Sequence, residues 1–491
     1  MIVRTSLVFA AALALTSGPA GAQSMQDMPG MQMPSQPQPQ IQPHHHQHHP
    51  AQPATPAPST TPASPQQQQD QPAPPAQTQD QMQSMPSMEH DQGMQHDGMQ
   101  MPMNEHAGMT MTGALGAYPM SREASGTSWQ PDAGTHEGIH VHSGNWMFMA
   151  HALLNGVYDW QGGPRGDEKA FLAGMLMGMA RRDFANGDAL QFRAMLSPDP
   201  FMGASGYPLL FQTGETANGV TPLVDRQHPH DLFMELSASY SHRLSDTDSV
   251  FIYGGLPGEP AFGPPAFMHR MSAIDSPEAP ITHHWLDSDH ITFGVVTAGW
   301  VHDTWKIEAS RFRGREPDEH RYDIETGDLD STAVRVSWNP TQNWSLQASW
   351  ADVTSPEQLH PDENETRWSA SAIYTQRIGE HGWWSATGAF GRKERSDGVT
   401  LDGWLAEAAL HPNERWTFFT RAESVENDEL APGTHTVARV SLGAIRDWRI
   451  HEHAVFGVGA LVESHFTPSA LDAEYDGDPL GAMGFVRLKI S

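Results

Sequence analysis

From about residue 137 to residue 491 the chain is a succession of short segments in which apolar and polar residues alternate, and this period of two is that of β-strands. In the first segment Trp146, Phe148, Ala150, Ala152, Leu154 and Tyr158 fall on one face, while Met147, Met149, His151 and Asn155 fall on the other. An apolar face with aromatic rings near both ends suits a strand turned toward lipid, its rings at the two membrane boundaries. A later segment repeats the pattern, with Leu232, Met234, Leu236, Ala238 and Tyr240 opposing Glu235, Ser237, Ser239, Ser241 and Arg243. About 16 such segments can be counted, the last from Ala482 to Ile490.

The connections alternate in length. Short turns are expected at Ala185-Asn186-Gly187-Asp188, Ser245-Asp246-Thr247-Asp248, His302-Asp303, Asn339-Pro340-Thr341-Gln342, Gly379-Glu380-His381-Gly382 and His411-Pro412-Asn413-Glu414. Longer polar loops intervene, the largest at 197–230 and 256–290. Short turns on one rim and long loops on the other predict an all-β fold, a transmembrane antiparallel β-barrel of about 16 strands with its short side in the periplasm. An even strand count returns both barrel termini to that side. A soluble β-sandwich or propeller is the alternative, but neither explains the aromatic-ended apolar faces as simply.

The residues before the barrel have another character. Arg4, the apolar run from Leu7 to Leu15 and Ala20-Gly21-Ala22 read as a signal peptide over 1–22, so the mature chain is expected to be exported. Residues 23–136 form a Met/His/Pro/Gln-rich arm whose proline-rich middle, 51–81, lacks the apolar residues to build a core; it is expected to be disordered in the periplasm, ahead of the barrel at 137–491. With no cysteine, neither disulfides nor thiolate metal sites are available, which leaves Met, His and carboxylates as ligands. Net charge is −30; residues 1–121 hold one basic and seven acidic groups, so the remainder carries 27 − 51 = −24. That balance disfavours nucleic acid as a partner and favours cations, although solubility alone could account for it.

Candidate ligands concentrate in the arm. Thirteen methionines lie between Met25 and Met111, beside the run His44-His45-His46-Gln47-His48-His49 and three related units, Met88-Glu89-His90-Asp91-Gln92-Gly93-Met94, Gln95-His96-Asp97-Gly98-Met99 and Asn104-Glu105-His106-Ala107-Gly108-Met109. Thioether sulfur suits Cu(I) and imidazole also binds Cu(II), so Met94, Met99, Met101, Met103, Met109 and Met111 with His44, His45, His46, His48, His49, His90, His96 and His106 form a multivalent copper-binding set. The bland alternative is a low-complexity spacer.

A second constellation lies in the two large loops. His228 and His230 end the first, and His269, His283, His284 and His290 punctuate the second, so loops entering one barrel mouth would bring six histidines together as a site suited to Cu(II) or Zn. A hydrogen-bonded network fixing the loops is the competing explanation. Ligands need ring nitrogens converging at metal distance, whereas a network needs only pairwise bonds. A third candidate is a methionine line of Met147, Met149 and His151 beside Met175, Met177 and Met179; there Leu172, Leu176 and Ala180 leave the face ambiguous, and methionine is a common core filler. No nucleophile elbow or phosphate-binding glycine loop stands in a suitable setting, so no enzyme is expected.

In plan, with a signal peptide, a Met/His-rich periplasmic segment and a barrel, the chain resembles the copper-resistance outer-membrane proteins of the B type. Its barrel segments, including 225–236 and 283–294, are more similar to a set of uncharacterised bacterial outer-membrane proteins. The resemblance implies copper, as Cu(I) or Cu(II) with low specificity for other divalent metals, captured on the arm for sequestration or passage across the outer membrane. Metal ions, outer-membrane lipid and periplasmic copper proteins are the implied partners. A general cation-preferring porin with an incidental tail and a rim-located enzyme are the other readings.

Overall fold

The computed structural model describes residues 111–135 and 138–491. Strand β1 (Ile139–Ser143) forms a hairpin with β2 (Trp146–Gln161). Next come β3 (Glu168–Asp183) and β4 (Ala189–Leu196), then a separate short pair, β5 (Tyr207–Thr216) and β6 (Pro222–Gln227). They are followed by β7 (Phe233–Arg243), β8 (Asp248–Gly255), β9 (Val295–His302) and β10 (Trp305–Phe312). The rest is a meander of β11 (Ser331–Thr341), β12 (Trp344–Thr354), β13 (Asn364–Ile378), β14 (Gly382–Arg395), β15 (Thr400–Asn413), β16 (Trp416–Asn427), β17 (His435–His451), β18 (Ala454–Phe466) and β19 (Leu480–Ile490).

The last strand pairs back onto β2, from Gly481 opposite Gln161 to Ile490 opposite Ala152, and closes a 16-strand antiparallel barrel of β2–β4 and β7–β19. Closure pairs every strand on both sides, so no edge is left in the apolar phase. The outward positions carry exposed apolar groups such as Phe148, Leu172, Ile252, Trp300, Trp404 and Leu442. Inward positions carry buried charge, among them Arg335, Arg367, Arg439, Glu308 and Glu423. This apolar-out, polar-in alternation is that of a membrane-spanning barrel of the outer-membrane type.

Two expected turns are displaced. Strand β11 continues through Pro340 and β15 through Pro412, with register breaks between Trp338 and Thr341 and between Leu410 and Asn413. A proline lacks the N–H that the ladder requires, and the local irregularity accommodates it within the strand.

A larger correction concerns the arm. Its segment 111–135, expected to be disordered, is folded inside the barrel at the short-turn end, where Arg122 donates to the Asp303 carbonyl at 2.8 Å, and Ala133 N to that of Gln342 at 2.8 Å. The lumen wall satisfies its backbone: Ser241 and Ser249 donate to the carbonyls of Ala114 and Leu115, Arg193 to those of Ala124 and Gly126, Lys306 to that of Thr127, and Asn339 to that of Gln130. Tyr118 and Trp129 meet edge to face, 5.1 Å apart, and pack with Leu115 on the inward residues Phe251 and Val301. The order of this segment comes from the wall rather than from a core of its own.

Candidate metal centre

The long loop 256–294 descends into the lumen and crosses it. On one side Ala261 N and Gly263 N donate to the hydroxyls of Ser310 and Ser349 at 2.8 and 2.9 Å; on the other Thr282 N donates to Glu423 Oε1 at 3.0 Å. A helical turn, His283–Leu286, is seated against the wall by Trp285. Gly391 and Gly403 face each other across β14 and β15 and make the niche. A Cβ at Gly391 would lie 2.3 Å from the Trp285 carbonyl oxygen, and one at Gly403 2.8 Å from its indole Cγ. The indole N–H donates to the Leu401 carbonyl at 3.2 Å.

Around this turn three buried histidines converge. His230, His283 and His290 each place a potential ligand nitrogen within 4.8 Å of the others. The Nδ1 of His230 donates to Asp199 Oδ2 at 2.8 Å, that of His283 to Asp287 Oδ1 at 2.8 Å, and that of His290 to the Asp287 carbonyl at 2.7 Å. Holding Nδ1 as N–H leaves the Nε2 lone pair for a ligand and fixes each ring. Nε2 of His230 and of His290 is buried without a hydrogen-bond partner. Phe267 closes one side, its ring 5.5 Å from that of His283 and 6.0 Å from that of His230.

Charges behind the trio tie it to the barrel. Arg270 is fully buried and bridges Asp287 and Glu407 of β15, at 2.7 Å each. Burial alone would raise the Asp287 carboxyl, but Arg270 and His283 outweigh it and hold the group below the ordinary carboxylate range. Burial pushes His283 below the usual imidazole value against the pull of Asp287, and pushes His290 well below it, helped by repulsion from His283 and His230. Both are therefore poised as neutral imidazoles, the form that binds metal.

Of the six loop histidines expected to act together, the structure brings these three into one set. His228 stands beside His284, ring centroids 5.6 Å apart, but places Nε2 3.0 Å from Glu215, while His284 has Nδ1 3.7 Å from Glu316. Each turns one ring nitrogen toward a carboxylate outside the trio and keeps the other, Nδ1 of His228 and Nε2 of His284, buried without a hydrogen-bond partner. His269 points elsewhere, its Nε2 3.3 Å from the Met195 sulfur. In the arm Met111 is exposed, and His44, His45, His46, His48, His49, His90, His96, His106, Met94, Met99, Met101, Met103 and Met109 lie outside the described residues. Sequence reasoning missed Asp199, Arg270 and Phe267, for which no local signal exists; Asp287 carries one, standing four residues after His283 on a helical turn.

The methionine line faces the lumen. Met147, Met149, Met175 and Met179 are buried, and Met177 packs against them. The outward partners Leu172 and Leu176 are exposed, which settles the face left ambiguous by the sequence.

No protein-family model matches the chain, and no curated protein does. Among solved structures it is similar to the anion-selective porin from Comamonas acidovorans, at 10% identity and TM-score 0.42 over 70% of this chain and 100% of that one. It is also similar to OmpF of Salmonella typhi in complex with daunomycin, at 9% and 0.46 over 72% and 100%, and to OprB of Pseudomonas putida, at 8% and 0.44 over 70% and 94%. The likeness is one of general architecture.

Proposed function

We propose that this outer-membrane barrel captures copper, holding Cu(II) at His230, His283 and His290, and that with its Met/His-rich arm it serves copper sequestration or passage across the outer membrane. The observation that carries the reading is the pair of orphaned, buried Nε2 atoms converging on a third histidine, each ring fixed through Nδ1. Buried polar atoms are seldom left unpaired, and a divalent cation would satisfy both at once. The same ligands accept Zn(II), but the ordinary affinity order places Cu(II) above it, and the thioethers of the arm suit copper alone of the two. The 111–135 segment and the 256–294 loop both lie in the lumen and narrow the space for an aqueous pore for general solutes.

The test is a Cu(II) titration of the full chain in detergent, followed by the nitrogen coupling in the electron paramagnetic resonance spectrum. In the His283→Ala/His290→Ala variant the tightest equivalent should weaken by about 100-fold or more, with the arm's weaker equivalents retained, while His360→Ala should change nothing. An undiminished tight equivalent in the double variant would remove copper from the loops. Cells lacking the protein should become copper-sensitive; unchanged survival with altered small-solute permeability would favour the porin.

A further inference from the structure

Ten of the twelve methionines after residue 112, all but Met202 and Met483, gather on one side of the lumen against β2, β3 and β4. The inward positions elsewhere on the wall are rich in Arg, Glu and Ser. Methionine commonly fills irregular cores, but here it is gathered on one sector of the wall beside two histidines. Five of the ten, Met149, Met175, Met177, Met179 and Met271, line a cavity of about 100 Å³ onto which His151 and His269 also open, and Met195 packs beside it against Met175 and Met177.

The register supplies a row of ligands. His151 on β2 stands opposite Met177 on β3, and Met177 stands opposite Met195 on β4, so the three share one face on adjacent strands. Directly opposed side chains start about 5 Å apart at Cβ, within reach of a common ion. His269 comes down from the loop onto the end of this row, with Nε2 3.3 Å from the Met195 sulfur. Thioether sulfur is a weak hydrogen-bond acceptor, but 3.3 Å is close to the edge of a tetrahedron whose metal bonds are about 2.0–2.3 Å.

We infer that His151, Met177, Met195 and His269 form a second metal site, taking a soft monovalent cation, Cu(I) or its analogue Ag(I). It extends the copper reading to the other oxidation state yet shares no ligand with the histidine trio. Two thioethers and two imidazoles are neutral and polarisable, a set that favours a soft monovalent ion over a hard divalent one. A smaller cavity beside His230 shares Leu153, Met175 and Ile274 with this one.

Crystals of the full chain soaked with Ag(I) should show an anomalous peak between Met177 and Met195, and chelator competition in detergent should count one more tight Ag(I) equivalent in the wild type than in Met177→Leu/Met195→Leu. The residual affinity in that variant should be at least tenfold lower. Cu(II) binding at the trio should be unchanged by it, and His283→Ala/His290→Ala should keep the Ag(I) peak, so failure of either site is read separately. Silver found only on the arm or the trio, silver persisting in the leucine variant, or a crystal peak with no extra equivalent in solution would each overturn the inference. The wild-type map decides even if the variant does not fold.

Discussion

The histidine trio and the methionine row sit in the same lumen but are built in opposite ways. The row takes three of its four ligands from β2, β3 and β4, where the pleat and the ladder set their spacing without further help. The trio takes all of its ligands from loops, and its geometry is imposed from outside: by the Gly391/Gly403 niche, by Asp199 and Asp287 on the ring nitrogens, and by Arg270 anchored on Glu407. A strand-borne site is therefore vulnerable mainly at its ligands, whereas a loop-borne site can be broken by residues that never touch the metal.

The largest break should come from the wall. Gly391→Val puts a side chain where the Trp285 backbone sits, only 2.3 Å from where a Cβ would lie, and the displaced turn takes His283 with it. The expected outcome is loss of the tight Cu(II) equivalent, by about 100-fold, with the Ag(I) site and the heat-modifiable mobility of the barrel retained. Wild-type Cu(II) affinity in this variant would mean that the niche does not position the trio.

Asp287→Asn sharpens the comparison with a smaller change. It keeps the shape but removes the charge that holds the His283 N–H and pairs with Arg270. Losing such a partner behind a ligand typically costs about 10- to 100-fold in metal affinity, and calorimetric titration with Cu(II) or Zn(II) would register it. If the histidines formed only a network, the substitution would alter loop protection and leave metal affinity where it was.

What the chain disclosed in advance follows the same division. The barrel and its 16 strands were legible because alternation is local, and the inward face of β2 with Met147, Met149 and His151 was read directly from it. The loop histidines could be recognised as ligand types but not sorted, because what separates His230, His283 and His290 from His228, His284 and His269 is contact with distant groups. Arg270 meets Glu407 across 137 residues of sequence. The 111–135 segment was invisible for the same reason. Its carbonyls are satisfied by side chains remote in sequence, and Thr127 reaches Arg335 across 208 residues.

That segment offers the smallest expected effect, on the methionine side alone. Its residues Glu123, Ala124, Gln130 and Thr135 line the methionine cavity, and Gly126 packs so closely on Glu259 of the long loop that a Cβ there would lie 2.6 Å from the Glu259 Cβ. The Glu259 carboxyl is buried beside Ser125 of the same segment. Burial pushes its carboxyl up from 4.5 to about 7; Arg335, 3.7 Å away, and Arg193 oppose this, while Glu235 adds to it. Because the folded value exceeds the unfolded one, the neutral acid is favoured in the packed state; its stabilising contribution is fully present below 4.5 and is lost as pH rises through about 7. Hydrogen-exchange protection of residues 123–130, corrected for the intrinsic pH dependence of exchange, should fall a few-fold across that window in the wild type and stay flat in Glu259→Gln. The Ag(I) on-rate should rise across the same window more steeply in the wild type than in Glu259→Gln, while Cu(II) capture at the trio, away from this contact, should follow the same pH profile in both proteins. Identical protection profiles in the two proteins would show that Glu259 does not govern the segment and would leave the short-turn end closed by its backbone bonds to the wall.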